Sequence, residues 1–416
     1  MAPLESIKIV CLIGVVLAFS QQLCAQVVET ATGPIVERRL EDGSAIAGSV
    51  GSSVLPTEIS AALRRPLLSI SVVGGYDDNV NTSLSGGGSS SLYTNANAAL
   101  SYTFGTPRTL LKLDTGGGVT YYFDLATDRT NAYFALSLTH KQTARLTLSL
   151  VAYASYQTEP DFSTALGASR QMGNFLHSTD KASLTYSWTP RFSTVTSYTF
   201  GVLKFDSSAG SLLNRMEHTF GQEFRVLVWP TTTGIGEYRY KIIDYESAPL
   251  NSQTHFLLAG LEHTFSPRLN VSARVGVELR SSENNGDRAS PYFESTLNYT
   301  LGHTVSLRWT NRYSIEEGNV SGASSSPAFR TGLDFNYGFT PRVSGSLVLN
   351  YIHREGGSGG SSSSTGDTFD IAPSLRYVIA HRRSVNVGFH HTEVNSGSLS
   401  GSFSRNQYFA GLNYSF

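Results

Sequence analysis

From Leu67 to the C-terminus the chain is interrupted by two kinds of punctuation that alternate without a break. One kind is very short: Gly105-Thr-Pro-Arg108, Thr143-Ala-Arg145, Thr189-Pro-Arg191, Pro230-Thr-Thr232, Ser266-Pro-Arg268, Gly302-His303, Thr340-Pro-Arg342 and Ala380-His-Arg-Arg383. These are tight turns, with Pro where a fixed φ and a missing N–H are tolerated. The other kind is longer and rich in Gly, Ser or acidic residues: 81–91, 126–130, 158–175, 207–213, 247–250, 283–288, 318–326, 356–365 and 397–403. Eight turns and nine loops separate eighteen segments of roughly 12 to 16 residues, the length of long β-strands. An even number of strands returns the chain to the side it started from. Short turns on one side and long loops on the other is the asymmetry of a membrane β-barrel.

Within the segments, apolar and polar residues alternate with period two. Phe329, Leu333, Phe335, Tyr337 and Phe339 share one face, opposite Arg330, Gly332, Asp334, Asn336 and Gly338. Leu269, Val271, Ala273, Val275, Val277 and Leu279 alternate with Asn270, Ser272, Arg274, Gly276, Glu278 and Arg280, and Val305 to Ile315 reads the same way. A soluble sandwich would show this alternation too, but eighteen long strands with no helices to cover them fit one closed sheet better. Aromatic residues recur before the short turns, at Tyr102-Thr-Phe104, Tyr186-Ser-Trp188, Trp229, Phe265, Tyr299 and Tyr337-Gly-Phe339, and predict a ring at one membrane interface. Their period near forty residues also suggests propeller blades, but a blade needs four strands and this period holds two.

Composition agrees. Charged residues make up 15% of the chain, against roughly 25% in a typical soluble protein, and 21 Tyr and 22 Phe favour strands. After the N-terminus no stretch of 18 apolar residues occurs, so any membrane crossing must be by a closed barrel. A net charge of −1 gives no electrostatic footprint for a nucleic acid. The expected fold is all-β: a single transmembrane antiparallel up-and-down β-barrel of eighteen strands, sixteen at the fewest, over residues 67–416.

The last eleven residues, Asn406 to Phe416, place Tyr408, Leu412, Tyr414 and Phe416 on a lipid face and Gln407, Asn413 and Ser415 on a water face. The series Gly411-x-x-Tyr414-x-Phe416 resembles the C-terminal signal that bacterial outer-membrane barrels present to their assembly machinery. Phe409 departs from that pattern, which usually has a polar residue there. Over 67–416 the chain resembles the β-barrel porin families of Gram-negative-type bacteria. The resemblance implies an outer-membrane location, the lipid bilayer and the barrel assembly machinery as partners, periplasmic short turns and mature termini, and extracellular long loops. Oligomeric state is left open.

At the N-terminus, Lys8, the apolar run Ile9–Phe19 and a cleavage site after Leu23-Cys24-Ala25 predict a secretory signal over residues 1–25. Residues 26–66 read as a periplasmic leader, with one helical turn near Ile59–Leu63. Val27-Val-Glu-Thr30 suggests an energy-coupling box, but forty residues cannot supply the plug that such transporters carry. Cys11 and Cys24 both precede the cleavage site, so the mature chain would have no thiol.

A barrel of this size encloses more space than its side chains fill, so inward charges are the functional candidates. The alternation assigns Glu217, Glu223, Arg225, Glu237, Arg239, Lys241, Arg274, Glu278, Arg280, Arg308, Arg312, Arg330, Asp334 and Arg376 to the lumen. Two readings stand: a basic strip that favours anionic solutes, or Arg and Glu on adjacent strands that pair laterally. Tyr133, Tyr153 and Phe409 are candidate sugar-stacking surfaces. The 158–175 loop, with Pro160, Phe162, Leu166, Met172 and Phe175, folds across the mouth or packs on the rim. No catalytic, cofactor or metal motif stands out, and His390-His391 points one ring to each face. The expected function is passive passage of small hydrophilic solutes, with saccharides or polysaccharide export as the finer reading. The alternative is a closed barrel whose long loops bind a partner.

Overall fold

The computed structural model describes residues 66–416 apart from 83–87, 159–172, 207–210, 284–285, 303, 318–324, 356–365 and 397–401. The expected signal, the leader and most of the 158–175 loop lie outside the described residues. Eighteen strands run β1 Leu67–Asp77, β2 Ser91–Gly105, β3 Thr109–Tyr122, β4 Thr127–Lys141, β5 Leu146–Gln157, β6 Phe175–Thr189, β7 Phe192–Phe205, β8 Arg215–Trp229 and β9 Thr232–Tyr245. They continue as β10 Ser252–Ser266, β11 Leu269–Ser282, β12 Gly286–Leu301, β13 Val305–Glu316, β14 Ser326–Gly338, β15 Val343–Arg354, β16 Gly366–Ala380, β17 Arg383–Ser396 and β18 Phe403–Ser415.

Each strand pairs antiparallel with its chain neighbours, and β18 pairs back onto β1 from Ser69↔Ser415 to Asp77↔Gln407. The sheet therefore closes on itself, each strand paired on both sides over at least part of its length. That is the one sheet arrangement that satisfies every backbone group in hydrocarbon. Among the described residues no helix is long and apolar enough to cross a membrane.

The two faces differ as the alternation requires. Large apolar side chains such as Val72, Phe220, Leu257, Val275, Leu375 and Leu412 are exposed on the outer face. The opposite parity is the inner one, because its side chains meet across non-neighbouring strands: Arg225 of β8 reaches Glu262 of β10. Near the short turns, aromatic pairs two residues apart meet edge-on: Tyr186–Trp188 at 4.7 Å, His263–Phe265 at 4.3 Å, Tyr337–Phe339 at 4.9 Å and Tyr414–Phe416 at 4.5 Å between centroids. The C-terminal pair is thus one member of an interfacial girdle.

Several loops are shorter than the composition suggested. In place of a 126–130 loop, Ala126 takes a φ of 45° and closes the β3–β4 connection, so Thr127–Thr130 join β4. Gly286–Arg288 belong to β12, Ser326 to β14, and Phe175 and Phe403 open β6 and β18. Pairing with a neighbour outweighs weak local strand preference at these ends.

Candidate functional site: the inner wall of the barrel

The inner face divides into two sectors. Along β2 to β5 it is mostly neutral, carrying Asn95, Asn97, Thr120, Asn131, Tyr133 and Ser155. Charges in this sector are tied down locally: Lys112 lies 3.3 Å from Asp114, and Arg129 donates to the carbonyl of Val80 at 2.9 Å. Tyr133 lies so close over Gly116 that an added Cβ would come within 2.7 Å of its ring. Tyr153 is buried against His177 and offers no open stacking face, whereas Phe409 lies across Gly388 as Tyr133 does across Gly116, with one ring face on the wall. This corrects the expectation for Tyr153. Close packing on the wall has taken the face that a sugar would need there.

Along β8 to β15 the wall is densely charged. Arg274 on β11 is 2% exposed and sits among four carboxylates, with Glu237 at 2.9 Å, Glu294 at 3.4 Å, Glu223 at 3.6 Å and Glu262 at 3.7 Å. Arg225 bridges Glu223, at 3.0 Å, and Glu262. Arg239 bridges Glu237 and Glu294, the latter at 2.8 Å. The Tyr292 hydroxyl donates to Glu294 and accepts from Arg239. Guanidinium forks suit this task because each can serve two carboxylates with fixed geometry.

A second knot lies nearer the long loops. Glu316 accepts from Arg312 at 2.8 Å, Arg330 at 2.9 Å and Arg354 at 3.1 Å. Glu217 is held by Arg215 at 2.8 Å and Lys241 at 2.7 Å. Arg280 lies 2.6 Å from Glu317, which also accepts from the Tyr245 hydroxyl at 2.9 Å. Glu278 accepts the backbone N–H of Ile315.

Eleven of the fourteen lumen candidates therefore meet in these two knots, ten of them in ion pairs and Glu278 through the Ile315 N–H, rather than as a bare basic strip. The other three, Arg308, Asp334 and Arg376, share the inner face nearer the short turns. Arg308 stands opposite Asp334 and Asn298, and Arg376 opposite Asn386 and Ser344. The knots also contain Arg215, Glu262, Glu294, Glu316, Glu317 and Arg354, which the sequence reading passed over. Glu262 and Glu294 were within its reach, since Leu257, Ala259 and Leu261 mark the outer parity of β10 and Phe293 that of β12. Glu317 lies beyond the end of its strand, where alternation says nothing.

A third network links the seam of the barrel. Asp370 accepts from Asn350 at 3.2 Å and Thr392 at 2.8 Å, and His390 bridges Asp370, at 2.6 Å, and Gln407, at 3.1 Å. Gln407 donates to Asp77 at 3.0 Å. Asp77 also holds Arg405 and accepts the N–H of Asn79 at 3.0 Å, an Asx-type turn. That turn leads Val80, fully buried, in against Tyr93 and Tyr122. His391 faces outward, 2.8 Å from Asn406. Among the described residues no group of three or more His, Cys, Asp or Glu side chains is placed to hold a metal ion.

A family described as "Putative beta-barrel porin 2" matches residues 66–416. No curated protein sequence matches the chain. Among solved structures, similar chains include OccAB4 of Acinetobacter baumannii, at 12% identity and a TM-score of 0.41, covering 85% of this chain and 99% of that one. The outer membrane protein OpdK of Pseudomonas aeruginosa gives 10% and 0.43, covering 85% and 99%. OccK2 (OpdF) of the same organism, solved with glucuronate, gives 10% and 0.44, covering 84% and 98%. These similarities are too distant to carry a solute from those proteins to this one.

Proposed function

The chain belongs to the β-barrel porin family that matches its residues 66–416, and on that premise we propose that it is an outer-membrane channel for passive passage of small hydrophilic solutes. The observation that carries this reading is the closed eighteen-stranded wall with an apolar outer face and a polar inner one. Such a wall is stable with lipid outside and water inside. In this reading the short turns and mature termini are periplasmic, the long loops are extracellular, residues 1–25 are removed, and the assembly machinery recognises Gly411, Tyr414 and Phe416.

For the solute, the neutral sector is the informative one. Most charges on the β8–β15 side, Arg308 apart, are consumed by one another, whereas Asn95, Asn97, Asn131 and the Tyr133 ring present amides and one aromatic face. Amides and a flat ring suit a neutral hydroxylated solute such as a saccharide better than an anion. Single-channel recording in planar bilayers tests both levels. A stable open state supports the channel, and its block by a neutral oligosaccharide, weakened by Tyr133→Ala, supports the finer reading.

A second reading has its own support. The inward course of Asn79–Val80 and the burial of Ser314–Glu317 narrow the long-loop end, as in a barrel closed to flow that binds a partner through its loops. A correctly inserted but electrically silent barrel would favour it.

A further inference from the structure

The described residues at the end of the β13–β14 hairpin, 314–317 and 326–328, do not stand in the wall. β13 pairs with β14 as far as Glu316↔Ser326, but its pairing with β12 stops at Phe293↔Tyr313. Beyond that point Gly286–Tyr292 of β12 keep only β11 as a partner. Continuing the ladder would set Pro291 opposite Ile315, and Pro has no N–H to donate there.

Burial shows where the freed end goes. A wall strand exposes every second side chain, as Trp309 does at 45%. Ile315 has the same parity and is 9% exposed, and Ser314, Ile315, Glu316 and Glu317 are buried in succession. On the partner strand, Ser326, Pro327 and Ala328 are likewise buried in succession. A segment covered on both faces lies inside the sheet.

The bonds name its seat. Ile315 donates its N–H to Glu278 of β11, two strands away. Glu317 meets Arg280 of β11 at 2.6 Å and the Tyr245 hydroxyl at the end of β9 at 2.9 Å, while its carbonyl accepts from Arg354 at 3.1 Å.

We infer that this tucked hairpin end is the constriction of the lumen, that Arg280, Tyr245 and Glu317 form the latch that holds it, and that it sets the size limit for solutes. The size limit rests on the channel reading, whereas the latch does not. Release exchanges one buried ion pair for two hydrated charges at the long-loop end, where water is close, so the latch is held by a modest margin.

The latch is tested by thiol protection in the full chain. An Ile315→Cys probe should react slowly with a charged maleimide, with the modified site mapped by mass spectrometry. Its rate should rise about tenfold when Arg280→Gln and Glu317→Gln are added, with folding checked by heat-modifiable gel mobility. Asp287→Cys, on the exposed part of the β12 edge, supplies the unprotected rate. If the double variant does not fold, Tyr245→Phe removes one latch bond alone and should raise the rate severalfold. A probe that reacts at the Asp287→Cys rate from the start, or an unchanged rate in the folded latch variants, overturns the latch. Conductance then tests the size limit. The latch variants should conduct more and admit larger polyethylene glycols than the parent. Faster labelling with unchanged exclusion overturns the constriction. Faster labelling with both barrels silent overturns the size limit through the channel reading and leaves the latch standing.

Discussion

The guanidinium of Arg274 lies 2.9 Å from the carboxylate of Glu237, at the centre of a buried group in which Arg225, Arg239 and Arg274 face Glu223, Glu237, Glu262 and Glu294. Removing Arg274 would leave four buried carboxylates with two cations. Arg274→Gln should therefore cost about 3–5 kcal/mol, read from urea unfolding in detergent micelles. Replacing Arg274 and Glu237 together by Leu should cost less than the single change, because no new unpaired charge is left. Equal or greater loss in the double variant would show that the group is not organised as pairs.

The seam between the first and last strands carries the same chemistry once. Asp77 of β1 is fully buried and holds Arg405 of β18. Asp77→Ala leaves Arg405 without its carboxylate and breaks the turn that carries Val80 inward. The cost should again be about 3–5 kcal/mol, with earlier proteolysis at the β1–β2 connection. Stability and cleavage pattern equal to the parent would contradict this role.

The series of short turns and long loops was enough to give the strand number and the closure, and alternation along the strands gave the faces of β18, because these depend on turn chemistry, chain length and side-chain parity alone. Alternation reached the inward charges for the same reason. Which charges meet was not legible, since Arg239 of β9 reaches Glu294 of β12 across the two strands between them and that depends on register and twist. The turn of β13 into the lumen was hidden as well. Pro291 marks the place, but a Pro in a strand does not say which neighbour is lost.

Phe409 lies flat across Gly388, where an added Cβ would stand 2.3 Å from the ring. No backbone strain is involved; the space is taken. Gly388→Val should push the ring off the wall and cost about 1–3 kcal/mol. Adding Phe409→Ala should recover part of that loss in urea unfolding.

Arg308 and Arg312 lie four residues apart on the same face of β13, yet their surroundings differ. Arg312 is bonded to Glu316 at 2.8 Å, whereas Arg308 forms no ion pair among the described residues. Arg308→Glu should thus alter the field of the lumen with little effect on folding, moving the cation-to-anion permeability ratio by about twofold or more. Arg312→Glu should mainly destabilise, by setting a carboxylate beside Glu316. Reversal potentials in a salt gradient, measured beside urea midpoints, separate the two. An Arg308→Glu barrel with the parent's selectivity would mean that Arg308 does not set the field.

Phe416 makes little contact in the finished barrel. Its N–H donates to the Leu68 carbonyl at 2.8 Å and its ring meets Tyr414 edge-on, but the seam pairing from Ser69↔Ser415 to Asp77↔Gln407 does not depend on it. Deleting it should cost the refolded barrel only about 1 kcal/mol, the worth of one hydrogen bond. If Phe416 is read by the assembly machinery, the same deletion should lower the inserted protein in cells about tenfold, a loss too large for 1 kcal/mol to explain in a barrel of this size. The two measurements must diverge for the signal to stand. Normal insertion in cells, or an equal loss in refolding, would make Phe416 an ordinary member of the girdle.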